Sequence, residues 1–105
     1  MLVVLTVACR DEEKRVDSIA PFTILNDTTI ALNDVIDSGT LDAFNAVIAQ
    51  NPDTRWLAFQ EAPGSEDDET NMQVGRRLNQ LRLNTLVEPG GFIASGAVDL
   101  FLAGN

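Results

Sequence analysis

The side chains that most often carry chemistry are sparse here: no histidine, one cysteine (Cys9) and one lysine (Lys14) in 105 residues. The missing imidazole removes the commonest general base and the commonest metal ligand. A lone cysteine forms no internal disulfide, and with no second thiol or histidine nearby Cys9 is a poor redox centre. The densest group of reactive oxygens is Glu61, Glu66, Asp67, Asp68 and Glu69, hard ligands of the kind that suit calcium. Their spacing matches no calcium-binding loop, and acids gather at helix starts in any case. They read as a solvated helix N-terminus, and neither a metal nor another cofactor is expected.

Charge narrows the partners. Seven basic against sixteen acidic residues leave a net charge of −9 and a pI near 4.1, which disfavours nucleic acid and anionic lipid. The pair Arg76-Arg77 is read as helix surface. The length allows one small domain, and 45% hydrophobic with 22% charged residues is the composition of a folded chain, not a disordered one.

The N-terminus reads differently from the rest. Met1 to Ala8 is uncharged and mostly apolar, like the core of a secretory signal and too short to span a bilayer. Ala8-Cys9 followed by the polar run Arg10 to Arg15 resembles the end of a bacterial lipoprotein signal, in which the cysteine becomes the lipidated first residue. Thr6 stands where such signals usually have leucine, and no basic segment precedes the apolar run. This resemblance implies a leader over 1–9, a tether over 10–20 and a folded domain over 21–105. The protein would then be a periplasmic or outer-membrane lipoprotein, held to a membrane through the lipid on Cys9 alone. The alternative is a buried first strand from Leu2 to Val7 that ends in a core cysteine.

Beyond Pro21 strands and helices alternate. Phe22 to Leu25 and Thr28 to Leu32 are β-prone runs parted by the turn formers Asn26-Asp27, which predicts a hairpin; Asp34 to Ile36 extends or bends the second strand. Asp37-Ser38-Gly39-Thr40 offers helix caps before Leu41, Phe44, Val47 and Ile48, which recur at helical spacing up to Asn51-Pro52. Trp56-Leu57-Ala58-Phe59 is a continuous apolar run, predicted to be a strand covered on both faces. A helix over Thr70 to Leu81 follows, with Val74, Leu78 and Leu81 inward, acids first and Arg76, Arg77 and Arg82 toward its end. Thr85 to Val87 reads as a strand, Pro89-Gly90-Gly91 as a loop, and Ala94 to Ala103 as an apolar helix. The alternation predicts an α/β domain with a mainly parallel sheet and a core that includes Trp56, Leu57, Phe59, Val74, Leu78, Phe44 and Ile48.

The series Ile36-Asp37-Ser38-Gly39-Thr40, Leu57-Ala58-Phe59, Ala62-Pro63-Gly64-Ser65 and Gly91-Phe92-Ile93-Ala94-Ser95 is similar to the Clp protease proteolytic subunit and its crotonase-like superfamily. It looks closest to periplasmic Clp-like proteins of proteobacteria. The likeness covers roughly residues 28 to 105 and lies in the order of several short pieces. It implies a spiral of β-β-α units, incomplete at the C-terminus because the chain stops where the last matching helix ends.

By this resemblance Ser95 matches the nucleophile, and the turn at Gly64 and Ser65 together with Gly96 matches the oxyanion hole. Ser65 replaces the second glycine of the family turn but keeps its N–H. The family draws its histidine and aspartate from chain after the serine helix, and this sequence has no histidine. Lys14 has no matching motif. Two functions follow. One is a catalytically inactive binding or scaffolding module of the cell envelope; the other is a fragment of a serine hydrolase or peptidase whose base lies beyond residue 105. Ser95 also has a plain reading, as a small residue that lets a helix start pack beside a turn. Open strand edges predict a homo-oligomer.

Overall fold

The computed structural model describes residues 17–105, so Cys9, Lys14 and the leader lie outside the described residues. Among the described residues five strands form one sheet in sequential order: β1 (Ser18–Ile19), β2 (Phe22–Asn26), β3 (Thr29–Leu32), β4 (Trp56–Ala62) and β5 (Asn84–Ile93). The helices are α1 (Thr40–Gln50), α2 (Asp68–Leu81) and α3 (Gly96–Leu102). The molecule is therefore α/β, as expected.

The sheet is mixed, where a mainly parallel one was expected. β1–β2 and β2–β3 are antiparallel, while β3–β4 and β4–β5 are parallel. The predicted hairpin is β2–β3, and its turn is held by the Asn26 carboxamide oxygen, which accepts from the Thr28 N–H at 2.9 Å and the Thr28 hydroxyl at 3.0 Å. The folded region also begins earlier than Pro21, because Ser18–Ile19, inside the segment read as a tether, pairs with β2. The parallel pairs need crossovers, which α1 and α2 supply.

The core gathers Phe22, Ile30, Leu32, Phe44, Val47, Leu57, Phe59, Val74 and Leu78, all fully buried. Phe22 and Phe44 meet edge to face at 5.6 Å, an arrangement the ring quadrupoles favour. Ile48 is only partly buried against this cluster. Trp56, expected in the core, is 39% exposed: it is the first residue of β4, and its continuous apolar neighbours Leu57, Ala58 and Phe59 take the interior instead.

Two further expectations change. Pro89-Gly90-Gly91 is not a loop between elements but an excursion inside β5. The register runs Phe59↔Val87 and then Glu61↔Phe92, so β5 carries three more residues than β4 over this stretch. A Cβ on Gly91 would stand 2.8 Å from the Gln60 carbonyl oxygen, so only glycine lets the bulged backbone press this close. The last turn of α2 carries no base; Arg82 follows it as a left-handed C-cap at φ 56°. Asp67 caps the same helix, its side chain accepting from the Thr70 N–H at 3.1 Å.

Candidate functional site

Because β4 and β5 are parallel, both end on the same side of the sheet, and their last paired residues are Ala62 and Ile93. The Ala94 N–H then donates to the Ala62 carbonyl at 3.2 Å. Ligands of parallel α/β sheets collect at the carboxyl ends of strands. Here that place holds Pro63-Gly64-Ser65 from one connection and Ser95-Gly96 from the next. The residues matched by resemblance are thus brought together by the register.

Ser95 joins β5 to α3 with φ 53° and ψ −129°. A non-glycine residue in this region costs on the order of 1–3 kcal/mol and persists only where the surroundings impose it. The sharp turn from strand to helix leaves the side chain exposed. Ser95 occupies the N-cap position but makes no capping hydrogen bond, so helix capping does not explain its conformation. Its hydroxyl has no hydrogen-bond partner among the described residues.

Gly64 and Gly96 permit the approach. Gly64 has φ 152°, and a Cβ on it would lie 3.2 Å from the Cβ and 3.6 Å from the Oγ of Ser95. A Cβ on Gly96 would lie 2.7 Å from the Ser65 Cβ and 3.4 Å from the Ser65 nitrogen. The Ser65 and Gly96 N–H groups donate to no acceptor among the described residues. These two open donors belong to the residues that directly follow Gly64 and Ser95.

Ser65 itself is not strained, since the positive-φ residues other than glycine are Asp34, Arg82 and Ser95. Its hydroxyl accepts from the Asp67 N–H at 3.1 Å and donates to the Asp67 carbonyl at 2.9 Å. The Ser65 side chain is therefore tied into the start of α2.

No base reaches Ser95 among the described residues. Glu61, with Asn33, Asp34 and Pro63, lines a separate cavity of about 210 Å³. The acids from Glu66 to Glu69 serve the start of α2, as Asp67 shows, and among the described residues no group of three or more His, Cys, Asp or Glu side chains is placed to hold a metal ion. Nor is any helix among them long and apolar enough to cross a membrane.

One residue beside this site escaped the sequence reading. Asn71, on α2 and 7% exposed, donates from Nδ2 to the Gly96 carbonyl at 3.0 Å. Its signal was a polar residue three positions before Val74 and seven before Leu78, on the apolar stripe of the helix. It also borders a groove of about 800 Å³ between α2 and α3, with Asp68, Gly75, Arg76, Asp99 and Leu100.

No protein-family model matches the chain, and no curated protein or solved structure matches it.

Proposed function

We propose that this chain carries the nucleophile half of a Clp-like or crotonase-like serine hydrolase, with Ser95 as the nucleophile and the Ser65 and Gly96 amides as the oxyanion donors. The observation that carries this reading is the backbone of Ser95: a strained, non-capping serine packed against Gly64, with open N–H groups on the residues that follow each of the two. A packing role alone requires neither the strain nor the open donors. The general base comes from residues outside these 105, because a serine hydroxyl without an acceptor for its proton is an ordinary alcohol. By itself the chain turns over no ester or peptide.

A second reading, an inactive binding or scaffolding module, is favoured by the absence of histidine and by Ser65 in place of glycine. A fluorophosphonate probe separates the two. The hydrolase reading expects no labelling of this chain alone, and labelling abolished by Ser95→Ala once the coding sequence downstream of Asn105 is included. If the extended chain also stays unlabelled, the binding-module reading takes its place.

The proposed setting is the cell envelope, with Cys9 lipidated and the domain held at the periplasmic face. Expression with a complete upstream leader in a Gram-negative host would then give membrane-bound protein that Cys9→Ser releases. Unmodified chain in the cytosol would overturn the location.

A further inference from the structure

We infer that Asn71 is a positioning residue for the oxyanion donors, an inference that rests on the serine half-site reading above. Its side chain is a poor choice for stability. Nδ2 gains the Gly96 carbonyl at 3.0 Å, but Oδ1 is buried with no donor among the described residues, and a stranded acceptor offsets what the paired donor contributes. Leucine would fill a similar space and strand nothing. What asparagine does, and leucine cannot, is hold the Gly96 carbonyl.

Gly96 needs holding. It has no side chain to restrict its backbone, and its N–H and C=O flank the same Cα, so anchoring the carbonyl limits the rotation that would swing the N–H away from Ser65. The fit is close, since the Cβ position of Gly96 lies 3.1 Å from Nδ2 of Asn71 and 2.7 Å from the Ser65 Cβ. The hydrogen bond also joins α2 to the start of α3 at the point where the two open amides meet. Asn71 touches no reacting atom; it acts through Gly96.

The test uses phenylboronic acid and the chain with the coding sequence downstream of Asn105 included, so that the base the hydrolase reading requires is present. On addition the Ser95 oxygen bonds to boron and its proton leaves to solvent. The trigonal boron becomes a tetrahedral anion that keeps both hydroxyl groups, one of them placed like an oxyanion. Boron NMR reads the change of geometry, and amide NMR reads the Ser65 and Gly96 N–H groups. The wild-type chain is expected to form an adduct that shifts both amides and is lost in Ser95→Ala. Asn71→Leu is expected to weaken the adduct about tenfold or more while its thermal midpoint holds or rises. Equal affinity in Asn71→Leu overturns the positioning role and leaves the half-site reading standing. Absence of any Ser95-dependent adduct in the wild type overturns the half-site reading itself.

If Asn71→Leu does not fold, Asn71→Asp decides. A protonated carboxyl can donate to the Gly96 carbonyl and an ionised one repels it, so affinity relative to wild type should fall as the new carboxyl ionises. Asp68, Asp99 and Arg76 border the same groove and are common to both proteins. A ratio independent of pH overturns the proposal.

Discussion

Gly96 lies against Ser65 so closely that a Cβ on the glycine would stand 2.7 Å from the serine Cβ, inside any real contact distance. The start of α3 and the turn after β4 are thus fitted to one another with no side chain between them. Gly96→Ala should destabilise the fold by about 1–3 kcal/mol through overpacking, read from urea unfolding. Adding Ser65→Gly should recover part of the loss, because the two residues touch and their effects couple. Strictly additive losses would show that this contact is not the cause.

Two non-glycine residues with left-handed φ offer a contrast. Arg82 (φ 56°) is exposed and ends α2, and Ser95 (φ 53°) bears the candidate hydroxyl. Arg82→Gly and Ser95→Gly should each raise stability by about 0.5–1 kcal/mol, since glycine adopts these conformations without a steric penalty and part of the relief is lost to chain entropy. Ser95→Ala keeps the strain and should leave stability nearly unchanged. Equilibrium denaturation checks all three, and a loss on Ser95→Gly would mean that the side chain makes stabilising contacts.

The core assignments differ sharply within one strand. Phe59 is fully buried and meets Phe101 edge to face at 5.7 Å, so Phe59→Ala should cost about 3–5 kcal/mol. Trp56, at the rim, should cost less than half as much on truncation to alanine. Thermal unfolding of the two variants side by side makes the comparison, and equal losses would return Trp56 to the core.

β5 ends the strand order, so among the described residues its outer edge has no partner strand, and Val87 and Phe92 on it are exposed. Such an edge is a template for pairing, and we expect the chain to self-associate as its concentration rises in sedimentation experiments. Val87→Lys should shift the equilibrium toward monomer. A wild-type monomer at all concentrations would rule this out. Pro89 and the Gly90-Gly91 bulge confine pairing to Asn84–Val87, the straight part of the strand.

Much of the architecture was legible because its signals are local. Helical spacing at Phe44 and Val47 and again at Val74 and Leu78, the turn formers Asn26-Asp27 and the apolar run through Phe59 each act within a few residues. They therefore place elements without knowledge of their neighbours. The pieces around Gly64 and Ser95 could be read as one site only through their family resemblance, since 31 positions separate the two in the chain.

What the sequence by itself determined is the alternation of strands and helices, the acidic surface and the absence of any histidine to serve as base. Only the tertiary structure decided that Trp56 stands at the rim, because burial at a strand end depends on how far the covering elements reach. It alone showed Pro89-Gly90-Gly91 as a bulge, because that follows from the register against β4 and the carbonyls of Phe59 and Gln60 that face Gly91. The left-handed turn of Ser95 and the hold of Asn71 on Gly96 belong to the same class. A serine adopts φ 53° and an amide strands its own acceptor only where contacts distant in the chain outweigh local preference, and those contacts exist only once β4 and β5 have paired and α2 lies beside α3.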